Sequence, residues 1–387
     1  MSSEHAATSR ARISALTDVG RTREHNEDAF LVAYLGAPEA IEFPTSPTAA
    51  GGARPAERTC DLSGAGVLLL VADGLGGAAA GEVASHLAAR VAHESLRQAI
   101  GAPAAGAPIA TRDAHAVAAA LRDAVLAANA AVHRLGAERP ELHGMASTVT
   151  AAYLHDDGVT VAQVGDSRAY VVRSGEARQI TKDQSLVQRL VDAGEMTPEQ
   201  AETSMRRNII LQALGPEPSV RVDVTRQTLC RGDLVLLCSD GLSGQLRAAQ
   251  LAALATQVPE PGALCEALVA AANASGGPDN ITVVAARVSG DAFAEPPEAV
   301  EECEPVAPHR VSLEPATDEI VVQPEPARAL VGAVVVPGVG DAAPGRAAPG
   351  VSRGEVVARR GRVRGVYALL GAAAVAAAAW TWWAFAR

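Results

Sequence analysis

Three apolar runs, residues 147–154, 159–164 and 168–173, follow one another with only a few turn residues between them. Strands joined so tightly must pair antiparallel, because a parallel return needs a crossover of a dozen residues or more. This constraint turns the chain away from a doubly wound parallel sheet and toward sheets built from hairpins. Further strands are predicted at 11–19, 28–34, 67–72, 220–225, 234–238 and 281–288. Helical periodicity marks 82–100, 114–135, 186–193, 198–203, 248–256 and 261–273. Ser185 with Gln188, and Thr197 with Pro198 and Gln200, are helix-start signals. Strands in groups, with long helices between the groups, predict an α+β domain of antiparallel sheets covered by helices, spanning residues 10–290.

Three stretches fall outside this alternation. Residues 37–66, rich in Pro, Gly, Ser and Thr, read as a surface insertion between two strands. Residues 291–358, rich in Pro, Ala, Glu and Val, read as a flexible linker. Residues 359–387 read as a basic flank and a single transmembrane helix. Positions 366–386 carry no charge, Trp380, Trp382 and Trp383 lie near one end, and Arg359, Arg360, Arg362 and Arg364 precede the segment. The positive-inside rule then puts the large N-terminal part in the cytoplasm, on a single-pass protein of the cell membrane. The competing reading of 366–386 is a buried Ala-rich helix. A net charge of −11 argues against nucleic-acid binding. Five cysteines without a C-x-x-C pair or a His/Cys cluster fit neither a disulfide framework nor a zinc site.

The chemistry concentrates where strands stop. The run 67–72 ends in Asp73-Gly74, the run 234–238 in Ser239-Asp240-Gly241, and the run 159–164 in Gly165-Asp166-Ser167. Glu27 and Asp28 precede another strand, and Asp279 precedes the last. One Asp-Gly after a strand is ordinarily a turn. Five such acidic sites in one domain would repel one another unless a cation joined them. Oxygen ligands without Cys or paired His select a hard ion, Mg²⁺ or Mn²⁺. Two such ions sharing a water lower its pKa and offer a nucleophile to a phosphorus or carbonyl centre. A phosphate would also need a guanidinium, for which Arg23 and Arg21 both stand close to Glu27. The chain has no P-loop, H-E-x-x-H, dinucleotide or kinase signature.

The ordered set resembles the PP2C family of metal-dependent protein serine/threonine phosphatases, in its bacterial branch. It comprises Asp18-Val19-Gly20 with Arg23 and Asn26-Glu27-Asp28; Ala72-Asp73-Gly74-Leu75-Gly76-Gly77 with Ala80-Gly81-Glu82; Gly144-Met145-Ala146-Ser147-Thr148; Val164-Gly165-Asp166-Ser167-Arg168; Ser239-Asp240-Gly241-Leu242; and Asp279-Asn280. The resemblance implies a four-layer α-β-β-α sandwich of two antiparallel sheets flanked by helices. It implies that Asp73 bridges two Mn²⁺ or Mg²⁺ ions and that Gly74 binds one through its carbonyl. Asp240 and Asp279 complete the first ion, Glu27 supports the second, and Asp166 with Asp240 holds a weaker third. Arg23 is placed as the phosphate-binding arginine, and 181–208 as a flap beside the cleft that influences substrate choice. Two departures stand out. Leu75 occupies the position where eukaryotic relatives carry a histidine proposed as general acid, so the leaving-group proton comes from metal-bound water or another group. In the flap, Gln184 replaces the usual His, and Ser204-Met205 replaces His-Pro.

The expectation is a monomeric enzyme, with Arg23, Asp73 and Asp240 as catalytic residues. It would hydrolyse phosphoserine and phosphothreonine in phosphorylated proteins, reverse Ser/Thr kinase signalling, and have membrane Ser/Thr kinases among its partners. The alternatives are a membrane-tethered phosphoprotein-binding module and a hydrolase of small phosphoesters.

Overall fold

The computed structural model of the protein describes residues 8–35, 56–62, 64–101, 113–296 and 309–310. In chain order the strands are β1 (Arg10–Asp18), β2 (Ala29–Tyr34), β3 (Ala56–Asp61), β4 (Val67–Ala72), β5 (Gly74–Leu75), β6 (Ala146–Ser147), β7 (Val149–His155), β8 (Gly158–Val164), β9 (Arg168–Arg173), β10 (Glu176–Gln179), β11 (Asp223–Thr228), β12 (Leu234–Cys238), β13 (Ile281–Ser289) and β14 (His309–Arg310). The helices are α1 (Ala78–Gly101), α2 (Ala114–Glu138), α3 (Leu186–Asp192), α4 (Pro198–Thr203), α5 (Asp240–Ser243), α6 (Ala248–Gln257) and α7 (Pro261–Ala274).

Two six-stranded sheets form the centre, ordered β10-β9-β12-β13-β1-β3 and β14-β11-β8-β7-β4-β2, and every pairing within them is antiparallel. Strand β4 shows why the sequence dictates four layers. Its residues are all buried, with Val67, Leu69 and Val71 in the core between the sheets and Leu68, Leu70 and Ala72 in the core under α1 and α2. A strand covered on both faces reads as an unbroken apolar run rather than an alternation. On the far side, Leu234, Leu236, Val283 and Ala285 pack against Leu251, Leu264 and Leu268 of α6 and α7. The predicted sandwich of two antiparallel sheets flanked by helices is therefore the observed one.

Several boundaries differ from the sequence reading. Residues 56–61, inside the predicted surface insertion, form β3, an edge strand paired with β1 from Arg10↔Asp61 to Ala15↔Ala56. The strand predicted at 220–225 lies at 223–228. The Arg221 backbone is already used, its N–H donating to Gln212 Oε1 and its carbonyl accepting from Gln184 Nε2, so pairing with β8 starts at Asp223. The domain also runs past residue 290, because Phe293 is buried in the core between the sheets. The Thr197 capping box forms with both hydrogen bonds. At Ser185 only one half forms, since Gln188 turns its amide to Asp192 instead. The flank and transmembrane helix predicted at 359–387 lie outside the described residues, as does the linker between 297 and 358 apart from His309–Arg310.

Candidate metal centre and cleft

The strand registers bring the acidic positions to one end of the sandwich. Ala72, at the end of β4, faces Ala29 at the start of β2, and Val164, at the end of β8, faces Val149 at the start of β7. In the other sheet, Cys238 at the end of β12 faces Val283 near the start of β13, and Asp18 at the end of β1 faces Ile281. Asp73, Asp166, Glu27, Asp28 and Asp279 sit in the connections at this end and Asp240 opens α5, all of them next to rigid elements that restrict their positions.

The backbone around Asp73 is held by hydrogen bonds. Its N–H donates to Thr148 Oγ1 at 3.0 Å, and its carbonyl accepts from the Thr148 N–H at 2.8 Å. Thr148 Oγ1 is tied in turn to Ser167 Oγ at 2.7 Å, linking the Asp73 turn to the Asp166 turn. Gly74 donates its N–H to the Glu27 carbonyl, and a Cβ there would collide with the Glu27 and Gly81 carbonyl oxygens. Only glycine lets these three segments meet.

Asn280 organises the loop that carries Arg23 and Glu27. Its amide donates to the Val19 and His25 carbonyls, and its oxygen accepts from the Glu27 N–H at 2.8 Å. Arg23 donates to Asp279 Oδ2 at 2.8 Å. Arg168 grips Asp183 with two nitrogens, Nε at 3.0 Å and an Nη at 2.7 Å. Gln184, in the flap, braces the Asp166 turn: its oxygen accepts from the Gly165 N–H, and its amide reaches the Arg221 carbonyl and Asp223. A buried bridge between the flap and two strand ends is what this glutamine supplies.

The electrostatics are those of crowded carboxylates. Burial pushes the Asp73 carboxyl well above the usual range, and the charges of Asp28, Asp240, Asp166 and Asp279 push it further. Burial raises Asp166 to about 8, with Asp240 and Asp183 adding and Arg168 opposing. Burial raises Asp28 to about 7 against the pull of hydrogen bonds from Thr282 and Ser239. Asp240 and Glu27 are raised too, again mainly by burial, and the Asp73 and Asp240 carboxyls are within hydrogen-bond reach of each other. Three of these oxygens, Asp28 Oδ1, Asp166 Oδ1 and Asp240 Oδ1, are buried without a hydrogen-bond partner. Orphaned anionic oxygens in a shared field are costly alone and favourable around a cation. The donor set, all oxygen, fits a hard divalent ion.

Every sequence-predicted site residue therefore arrives at this end: Glu27, Asp73, Gly74, Asp166, Asp240 and Asp279 around one field, with Arg23 at its edge. Sequence reasoning gave no role to Asp28, whose Oδ2 accepts from Ser239 at 2.7 Å and Thr282 at 2.6 Å and so ties the two sheets together under the site. Its signal was its position just before a strand buried from Ala29 to Ala33. A separate trio of possible ligands, His155, Asp156 and Asp157, lies at the opposite end of β8, where Asp157 pairs with His155 and Arg226.

The family model described as Protein phosphatase 2C matches residues 56–268. The serine/threonine protein phosphatase PstP of Mycobacterium tuberculosis is 41% identical over 223 residues, and the chain spans only 40% of that protein's length. The serine/threonine phosphatase stp of Listeria innocua is 33% identical over 217 residues, 56% of this chain and 82% of that protein. The protein phosphatase PhpP of Streptococcus pneumoniae is 31% identical over 271 residues, 70% of this chain and 95% of that protein. The crystal structure of the M. tuberculosis phosphatase PstP/Ppp superposes with a TM-score of 0.55 at 33% identity, covering 74% of this chain and all of that one. The PstP catalytic domain in complex with two manganese ions superposes with a TM-score of 0.54 at 34% identity, covering 73% and 100%. Fold, site and sequence agree: the chain belongs to the protein phosphatase 2C family.

Proposed function

We propose that this chain hydrolyses phosphoserine and phosphothreonine in proteins, using divalent metal ions held at the end of the sandwich. The observation that carries the reading is the convergence of buried, partnerless carboxylate oxygens beside an arginine at the mouth of an open cleft. Family membership and the two manganese ions in the PstP catalytic domain support it. Asp73, Asp240, Asp279, Glu27 and the Gly74 carbonyl would hold two ions, Mn²⁺ or Mg²⁺, and Asp166 with Asp240 a third. When bound, the ions supply a water of lowered pKa and neutralise charge on the phosphoryl oxygens.

The protein's own contribution is placement. Arg23 presents a planar fork matched to two phosphate oxygens. The Arg23–Asp279 contact and the Asn280 bonds fix where that fork stands. Thr148 and Ser147 fix the Asp73 backbone, so its carboxylate needs no rearrangement during the reaction. Leu75 offers no proton to the leaving oxygen. The full chain with Mn²⁺ should release phosphate from p-nitrophenyl phosphate and from phosphothreonine peptides, and Asp240→Asn should abolish this. Undiminished hydrolysis in EDTA would overturn the reading.

We also read the protein as a monomer at the cytoplasmic face of the membrane, acting on phosphoproteins that include membrane Ser/Thr kinases. The support is the uncharged segment 366–386 with its basic flank. Recovery of the full-length chain in the soluble fraction would overturn the anchor.

A further inference from the structure

A cleft of about 740 Å³ runs from Asp166, Asp240 and Asp279 outward, between the flap helices α3 and α4 on one side and the start of α6 on the other. Four arginines line it: Arg23, Arg168, Arg207 and Arg247. The first two are committed, Arg23 to Asp279 and Arg168 to Asp183. Arg247 reaches Glu202 of α4 at 3.1 Å, an ion pair in which both side chains are more than half exposed. Arg207 has no anionic partner among the described residues. Helix energetics do not account for Arg247 either. It holds the N-cap of α6, where Ser, Thr, Asp or Asn would cap better.

Resting on the phosphatase reading above, we propose that Arg207 and Arg247 form an anion-selecting wall. It favours phosphoproteins that carry a second anionic group, a carboxylate or another phosphate, a few residues from the phosphorylated side chain. A substrate segment that reaches the carboxylate end of the cleft must pass between the flap and α6, where these two guanidinium groups stand. Its anion meets an unpaired cation at Arg207 and exchanges for Glu202 at Arg247, an exchange that costs little because exposed pairs are weak. Glu202 thus acts as an internal competitor for the same arginine. A basic flank gains nothing from either residue and is repelled by both.

The test uses the full chain with Mn²⁺ and four phosphothreonine peptides that differ only at the flanking positions: Gln, Glu, Lys, or a second phosphothreonine. Each kcat/KM is divided by that for p-nitrophenyl phosphate, so that a folding defect cancels. The Glu and doubly phosphorylated peptides should exceed the Gln peptide by roughly threefold, through KM and with loss at high salt. A gain for the doubly phosphorylated peptide alone would assign the wall to phosphate, and a gain for both would assign it to anions in general. The R207E/R247E double variant should prefer the Lys peptide, and E202Q should widen the wild-type preference. Equal values for Glu and Lys in the wild type, or a preference that survives in the double variant, would overturn the inference alone. Failure of the wild type to hydrolyse any of the substrates would overturn the phosphatase reading itself.

Discussion

Arg23 donates a 2.8 Å hydrogen bond to Asp279 Oδ2, so this arginine and a carboxylate of the acidic cluster hold each other at the mouth of the cleft. The pair is substantially exposed, 51% and 28% by side chain, and contributes little to the fold. Its consequence is orientation. Replacing Arg23 by Ala should lower kcat/KM for phosphopeptides by roughly a hundredfold, the usual effect of losing one preorganised donor. Urea unfolding should stay within about 0.5 kcal/mol of wild type, as for other surface substitutions. Arg23→Lys should recover only part of the activity, because an ammonium lacks the two-pronged geometry.

Metal binding should appear in stability as well as in activity. A ligand that binds the folded chain alone stabilises it by about 2.7 kcal/mol at a hundredfold excess over Kd. Mn²⁺ should therefore raise the urea midpoint of the wild type relative to EDTA. In Asp240→Asn this gain should shrink or vanish, because Asp240 Oδ1 is one of the buried oxygens without another partner. Removal of a charge from a crowded acidic field also predicts that the variant is the more stable protein in EDTA. The two curves should cross as Mn²⁺ is added.

The sequence made much of this legible, for physical reasons that differ by element. Strands buried on both faces, such as β4 and β12, are written as unbroken apolar runs, and the Asp at or one residue past the end of each is visible because the run stops there. Strand β3 was not legible: Glu57, Arg58 and Thr59 are exposed on an edge and carry no apolar period. The shift of β11 was hidden too, because Val220 and Val222 pack against the α2 side without joining the sheet. At the site, residue types announced the acidic cluster, but the placements of Asp28, Asn280 and Gln184 depend on partners between 19 and 261 positions away. Spacing along the chain cannot show such partnerships.

Asn280 illustrates that hidden layer. It is buried, its amide donates to two carbonyls of the loop 19–27, and its oxygen takes the Glu27 N–H. Asn280→Ala strands three backbone groups at once, so unfolding free energy should fall by about 3 kcal/mol, on the order of 1 kcal/mol for each group left unmade. Activity should fall as well, since the same loop carries Arg23 and Glu27. Partial rescue by Asn280→Asp, which keeps the acceptor for Glu27 but not the two donors, would separate these contributions. Full stability in Asn280→Ala would show that the loop is held by other means.

Asp166 is one of the buried carboxyls, with Asp28 and Asp73, that make stability depend on pH. Burial, then the charges of Asp240 and Asp183, hold its folded pKa near about 8, against about 3.9 in an unfolded chain. Between these two values the folded chain keeps a proton that the unfolded chain has released, so stability contributed by this group falls as pH rises from 4 to 8. Asp166→Asn has no proton to lose there. In EDTA, the stability of the variant minus that of the wild type should therefore rise steadily across that window and level off above it, as read by urea midpoints at pH 4, 6 and 8. Saturating Mn²⁺ should flatten the trend if Asp166 is a ligand, because a bound cation favours the carboxylate and opposes the burial that raised its pKa. A constant difference at all three pH values in EDTA would mean that Asp166 is ionised in the folded chain, and that the orphaned Oδ1 is satisfied by water.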